Sequence, residues 1–496
     1  MSISSIEKGI TMKTIVLFMM AGGLVGASLA EIFTPMPNLP PEIQKPMAAV
    51  QAATAGAETD PLRPVTHFHP PAQWMNDLNG PIWYKGYYHI FYQHNPYGDE
   101  WGNMHWGHAR SRDLVQWEHL PIALWPSKEK GEDHCFSGCA AIDGAGRPIL
   151  IYTSIGDKRT PEIWAATPDD DILLTWKKHP ANPILTLADH GGQQIDDWRD
   201  PFVFKAEGKT FMVIGGHPKG GKGAIFVYEA KNAELTQWTY RGIGLEGTEG
   251  NWECPNLFPL GGKWVLVYSP HSTVRYCVGQ FDPKTCKFTP QSQGVVDYGD
   301  YYAPNCTEDT QGRRIMWGWI RGFPGGKGWN GCLTLPRVLS VDLQERLVQT
   351  PVEEAKRMRG KGIRIEGRQV SDGRWVAPDI SGDCLEGILR YRPGQKGRFG
   401  LVVRCSADGS KGVSIIVDVE SGKLTVGGKT IEKAIGNDTV RTLHLFLDKS
   451  VLEVYAEDGR VCVTTVIQPD PGAMSVALVA EGGSMTVEAL ELWPIH

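Results

Sequence analysis

From residue 64 onward the chain is made of short runs in which apolar and polar side chains alternate, broken by tight glycine turns. Period-two patterning puts alternate side chains on opposite faces of a strand, so these runs predict β-hairpins. Five times a polar cluster leads into a strand, a polar turn and a second strand. "NDLNGPIWYKGYYHIFYQ" turns at Lys85-Gly86, and "FSGCAAIDGAGRPILIYTS" turns between Gly144 and Gly146. "RDPFVFKAEGKTFMVIGG" turns at Glu207-Gly208, "WECPNLFPLGGKWVLVYS" at Gly261-Gly262 and "YYAPNCTEDTQGRRIMWGWI" at Gln311-Gly312. The leading positions Asp77, Ser137, Asp200, Glu253 and Tyr302 lie 49 to 63 residues apart. Between copies a Leu precedes a Trp at what reads as a blade end, in "DLVQW", "ILLTW" and "ELTQW". Repeats of this length with several short antiparallel strands predict the blades of a propeller, so the fold class is all-β with five blades over 64–345. The competing all-β reading is a β-sandwich without internal symmetry.

Beyond the repeats the character changes. Residues 346–360, with "VEEAKRMRG", read as a linker with a helical turn, and 361–496 as a second all-β domain, a C-terminal β-sandwich with hairpin turns at Ser421-Gly422 and Asp458-Gly459. At the other end, Lys8 and Lys13 precede an uncharged apolar run, Thr14 to Ala30, closing on the small residues "GASLA". Residues 1–30 therefore read as a signal peptide and the protein as secreted, extracellular or periplasmic; Met12 could be the start, and an uncleaved membrane anchor is the alternative. The Pro- and Ala-rich stretch 31–63 has no clear period and is expected to be a disordered leader.

Composition adds bounds. A chain of 496 residues exceeds one ordinary domain, and a net charge of -6 gives no reason to expect nucleic acid or an anionic membrane as partner. Seventeen Trp suit all-β packing or stacking platforms for sugars. Ten Cys in an exported chain permit disulfides, though no paired C-x-x-C appears; Cys135 and Cys139 could form a local bridge or stay as two reduced thiols. "NCT" at Asn305 and "NDT" at Asn437 are glycosylation sequons.

The repeat also gathers chemistry. Innermost strands of a propeller surround a channel, and equivalent positions of the blades point at it. Asp77, Asp200 and Glu253 lead blades one, three and four and are expected to converge at one mouth. A lone acid is ordinarily a turn cap; three brought together repel and shift one another's pKa, a costly arrangement that points to function. Paired carboxylates flanking a scissile bond are the working parts of most glycosidases. Trp74, Trp101 and Trp252 would offer apolar faces to sugars, Asn76 and Gln93 donors and acceptors. A calcium site is the rival use of converging acids, but Trp, Pro and Arg flank them in place of oxygen donors. The scattered histidines lack zinc spacing, and Cys254 reads as a packing residue.

At these residues the sequence resembles glycoside hydrolase family 32, the invertases, inulinases, levanases and fructosyltransferases. "WMNDLNG", "WRDPFVF" and "WECPNLF" match its three signature motifs, and "FYQHNP", "DYGDYYAP", "LPR" and the late "LDKSVLEVYAEDGRVCVTT" follow in order. The resemblance implies a five-bladed propeller with a C-terminal sandwich and retention of anomeric configuration. It makes Asp77 the nucleophile, Glu253 the general acid/base and Asp200 the transition-state stabiliser. Asn76, Gln93, Trp101, Phe136, Ser137, Arg199 and Trp319 would line the fructosyl pocket, and neither cofactor nor metal is implied. Two departures stand out: Leu78 replaces the usual Pro after the nucleophile, and Asn256 replaces the Asp of many relatives. The reading is an exported β-fructofuranosidase acting on sucrose or a β-fructan such as inulin or levan. A fructosyltransferase, a propeller enzyme acting on arabinan and a catalytically silent fructan-binding lectin are the alternatives. Oligomeric state is not legible.

Overall fold

The computed structural model describes residues 39–496 apart from 249, 437 and 438, so the run read as an export signal and the sequon at Asn437 lie outside the described residues. Residues 73–351 form five antiparallel sheets, each the blade of a propeller. The innermost strands are Gln73–Tyr84, His134–Ile142, Ile195–Ala206, Glu253–Leu260 and Tyr301–Glu308. Each touches the innermost strands of its two neighbours, the fifth returning to the first. The short strand Trp329–Asn330, from the fifth repeat, pairs in parallel with Gln73-Trp74 and so ties the ring shut. Trp117, Trp176 and Trp238 each begin an outermost strand, where the sequence pattern put them.

Second strands read as unbroken apolar runs because a blade is covered on both faces by its neighbours. Phe211, Met212, Val213 and Ile214 are all fully buried, packed with Leu257, Val265 and Ile151 of adjacent blades. Blade five ends with the paired strands Arg337–Val341 and Leu347–Pro351. The propeller therefore runs past the expected boundary at 345, and the expected linker 346–360 shrinks to a 3-10 turn, Glu353–Met358.

The expected disordered leader is also corrected. Pro41–Ala57 is an α-helix, α1, entered through Pro at its first turn, where a missing N–H costs nothing. Ile43, Pro46, Val50, Thr54 and Ala57 make one buried stripe at helical spacing, and Val50 and Ala57 pack with Ala72, Phe323 and Trp329. Its many alanines and Pro46 blur the contrast between faces, so the period is faint in sequence.

The C-terminal domain is a sandwich held by two long strands. Ile363–Val376 and Ser475–Pro494 pair along their length, and the latter passes from one sheet to the other. Its first part pairs with Arg398–Cys405, its second with Cys384–Pro393. Leu385, Leu401, Ile415, Leu443 and Leu478 meet between the sheets. All ten cysteines are free, so Cys135 and Cys139 are two buried thiols without a bridge. Asn305 is buried, its amide donating to the Gly138 carbonyl at 3.1 Å, so this sequon is no surface acceptor.

Candidate active site

Every innermost strand opens with the same irregularity. Two residues stand opposite one of the second strand: Asn76-Asp77 opposite Gln93, Phe136-Ser137 opposite Thr153, Asp200-Pro201 opposite Ile214. Cys254-Pro255 face Tyr268, and Ala303-Pro304 face Gly318, in the same way. A bulge of this kind bends the strand and re-aims its side chains. At Asp200, Cys254 and Ala303, the first bulge residues of three blades, φ is +66°, +45° and +43°, a region non-glycine residues seldom adopt.

The ladders correct the expectation that the three acids hold equivalent positions. Glu253 stands just before its bulge, Asp200 is the first bulge residue of its blade and Asp77 the second. On the two neighbouring blades the residues level with Glu253 are Arg199 and Tyr302, and the three form a hydrogen-bonded row. Arg199 Nη2 donates to Glu253 Oε1 at 2.6 Å and the Tyr302 hydroxyl to Oε2 at 2.6 Å. His271 Nε2 lies 3.2 Å from Oε1.

Asp77 sits across from this row in different company. Ser137 Oγ donates to its Oδ2 at 2.6 Å, Gln93 Nε2 approaches the same oxygen at 3.4 Å, and Asn76 Nδ2 donates to Oδ1 at 3.1 Å. Asp200 lies between the two. Its N–H donates to Thr153 Oγ1 at 2.9 Å, and its Oδ2 accepts the Cys254 N–H at 2.9 Å. The Cys254 thiol, 3.5 Å from Asp77 Oδ2 and 3.6 Å from Asp200 Oδ2, joins the pair. Asp77, Asp200 and Glu253 therefore do converge.

Their environments pull the protons apart. Burial pushes the Asp200 carboxyl up to about 7; Arg199 opposes this, while Glu253 and Asp77 add to it. Asp77 is raised chiefly by burial, with the Glu253 charge adding and the Ser137 bond opposing. Burial also raises Glu253, but Arg199, Tyr302 and His271 outweigh it and hold it below its usual value. The three acids act on one another's charge, so the protonation of each depends on the other two.

Around the acids, Asn76 bridges Gln93 Oε1 at 3.0 Å and the Trp74 indole N–H at 2.7 Å. Gln93 also bonds Ser137, so Asn76, Gln93 and Ser137 form one buried network. Trp101 is 51% exposed, with its ring 6.0 Å from Phe136 and 5.1 Å from His134. Trp319 stands edge-on to Trp74 at 5.8 Å. Trp252 is no sugar platform: it is buried, stacked at 4.0 Å on Tyr268 and wedged against Gly223 and Gly247. Sequence reasoning gave no role to Tyr302, His271 or Thr153. Tyr302 could have been found, since it leads the fifth repeat where Glu253 leads the fourth.

Comparison with known proteins identifies the family. The family model "Glycosyl hydrolases family 32 N-terminal domain" matches residues 67–351, and "Glycosyl hydrolases family 32 C terminal" matches 354–494. A levanase of Bacillus subtilis is 34% identical over an alignment covering 90% of this chain and 72% of the relative. A sucrose-6-phosphate hydrolase of Escherichia coli is 31% identical over 86% of this chain and 94% of its own. Among solved structures, a β-fructofuranosidase of Bombyx mori superposes with TM-score 0.78 at 28% identity, covering 92% of this chain and 98% of that one. With both of its domains present in order, the chain belongs to glycosyl hydrolase family 32 and is a glycoside hydrolase.

Proposed function

We propose that the protein is an exported β-fructofuranosidase that releases terminal β-D-fructofuranosyl residues from sucrose or a β-fructan by a retaining double displacement. The observation that carries this is the contrast between two facing carboxylates, Asp77 held by Ser137, Gln93 and Asn76, and Glu253 held by Arg199 and Tyr302. In this reading Asp77 attacks the anomeric carbon of fructose while Glu253 gives a proton to the leaving oxygen. A fructosyl ester on Asp77 forms, and Glu253, now a carboxylate, takes a proton from the water that cleaves it. Asp200 holds ring hydroxyls and shares the developing positive charge. Asn76, Gln93, Ser137, Arg199, Trp101, Phe136 and Trp319 line the fructosyl pocket.

The mechanism needs Asp77 ionised and Glu253 protonated at bond cleavage. Arg199, Tyr302 and His271 favour the charged form of Glu253, so Glu253 has to take up a proton as substrate binds. Export rests on the apolar run Thr14 to Ala30. The relatives span levanase, sucrose-6-phosphate hydrolase and sucrose:sucrose 1-fructosyltransferase, so both the leaving group and the acceptor have to be tested.

The test is fructose release from sucrose, sucrose 6-phosphate, inulin and levan by the wild type, Asp77→Ala and Glu253→Ala. Release by the wild type, with each variant down about 10³-fold or more, is expected. The first-formed fructose, followed by NMR before mutarotation, is expected as the β-furanose. Undiminished release by Asp77→Ala removes it as nucleophile. Trisaccharide in place of free fructose makes the protein a transferase, and binding of inulin without turnover makes it a lectin.

A further inference from the structure

The acid/base row ends at the sandwich. Tyr302 is the second residue of Tyr301–Glu308, and the segment just before it, residues 297–300, lies along the sandwich strand Val461–Val466. The Tyr298 N–H donates to the Cys462 carbonyl at 2.9 Å and the Asp300 N–H to the Thr464 carbonyl at 2.6 Å. The approach is close enough that a Cβ on Gly299 would lie 1.7 Å from the Thr464 oxygen, so only glycine fits there. Asp300 then reaches into the sandwich. Its Oδ1 accepts Lys429 Nζ at 2.7 Å, and its Oδ2 accepts the Val466 N–H at 3.1 Å and Thr465 Oγ1 at 3.2 Å. On the other side its carbonyl accepts the Arg321 N–H at 3.0 Å, and the Arg321 guanidinium covers the Tyr302 ring at 4.5 Å. The far end of that ring is pinned too, since the Tyr302 hydroxyl accepts the His271 N–H at 3.0 Å while donating to Glu253.

We propose that the C-terminal sandwich is part of the acid/base machinery, with Asp300 as a positioning residue that acts through Tyr302 on Glu253. The inference rests on Glu253 being the general acid/base. The charged and titratable groups facing Glu253 are Arg199 from blade three, His271 and the Cys254 thiol from its own blade, Tyr302 from blade five and the carboxylates of Asp77 and Asp200. Of these, Tyr302 is the one whose place is set from the other domain. A hydrogen bond to the charged form of an acid lowers its pKa, so loosening Tyr302 makes Glu253 keep its proton to higher pH. Positional error of half an ångström at a supporting group is enough to degrade such a site.

The experiment is the pH dependence of kcat/KM for fructose release, with melting temperatures, for wild type, Asp300→Ala, Tyr302→Phe and the double variant. Wild-type release with a basic limb, lost in Glu253→Ala, establishes the acid/base reading first; its absence fails that reading and not this one. Tyr302→Phe is expected to move the basic limb up by about one pH unit, the worth of a charge-assisted hydrogen bond. Asp300→Ala is expected to move it the same way by less, and to add nothing in the Tyr302→Phe background, as groups acting in series do. Asp300→Asn, which keeps an acceptor for Val466 and Thr465, restores most of the wild-type profile. If Asp300→Ala fails to fold, Thr465→Val, which takes a hydroxyl donor from Asp300 Oδ2 at nearly constant shape, takes its place in the cycle. A lowered melting temperature with an unmoved basic limb, or an equal shift with and without Tyr302, overturns the proposal and leaves Asp300 as a docking residue.

Discussion

Asp200 sets stability against use at a single side chain. It is 5% exposed, and its folded pKa of about 7 lies far above that of an unfolded aspartate. A raised carboxyl stabilises below the unfolded value, near 4, and that contribution is lost as the pH rises through about 7. Above that pH the fold carries a buried charge beside two others. Asp200→Asn keeps an acceptor for the Cys254 N–H and removes the charge. It is expected to raise the melting temperature at pH 8 by a few degrees, on the order of 1–3 kcal/mol, with the gain closing by pH 4. Fructose release is expected to fall by about 10³-fold in the same variant, as when a charge-stabilising group is lost. Thermal melts at the two pH values, beside an activity assay, check both halves; a destabilised Asp200→Asn at pH 8 contradicts the electrostatic account.

Among the elements, the five bulges place the chemistry. Each lets one strand carry an extra residue, so side chains one apart in sequence can face the same space, and the acids meet from staggered positions. Blade two shows how tightly this is built. Gly138, directly after the bulge residue Ser137, has no room for a Cβ, which would fall 2.1 Å from the Ile151 oxygen and 2.6 Å from the Tyr152 Cα. Those are backbone atoms, so the strand itself would have to move, and Ser137 with it. Gly138→Ala is expected to cost about 1–3 kcal/mol in denaturant unfolding. It is also expected to weaken the Ser137–Asp77 bond, lowering kcat more than it raises KM. Unchanged kinetics in a folded Gly138→Ala would mean that the Ser137 contact does not depend on this packing.

Across the whole molecule, the two domains are joined by buried charge. His67, ahead of blade one, bonds Asp448 through Nδ1 and Glu453 through Nε2, each at 2.9 Å. Arg337 of blade five donates to Glu453 at 2.6 Å and to Asp297 at 3.0 Å. Burial opposes a charge on His67, but the two carboxylates hold it up to about 9. Burial likewise opposes the carboxylates, yet Arg337 and His67 hold Glu453 down to about 2, and His67 with backbone N–H groups holds Asp448 well below its usual range. The His67 contribution is present in full below pH 6.5 and lost as the pH rises through about 9; the carboxylate contributions are present above about pH 4.5 and lost in acid. Unfolding free energy is therefore expected to fall on both sides of a mildly acidic optimum. His67→Ala leaves two buried carboxylates short of a partner and is expected to cost about 3–5 kcal/mol at pH 6, with the difference shrinking above pH 9. A pH-independent cost would show that His67 contributes by packing alone.

The repeated hairpins, the five-bladed count, the second all-β domain and the three acids were legible because they rest on local patterns: period-two alternation, glycine turns and short motifs. Helix α1 was not, because its buried stripe is diluted by alanine and its partners Phe323 and Trp329 lie far along the chain. The blade-five edge at Leu347–Pro351 reads as linker in sequence because five residues carry too little pattern without the strand they pair with. Sequence by itself determined which residues could do chemistry, since carboxylate, hydroxyl and amide come with the side chain. Only the tertiary structure decided how they meet: the one-residue stagger of the acids, the row Arg199, Glu253, Tyr302, and the sandwich behind Tyr302. Each depends on strand register and on contacts between residues 49 to 166 positions apart, where local propensity has no reach.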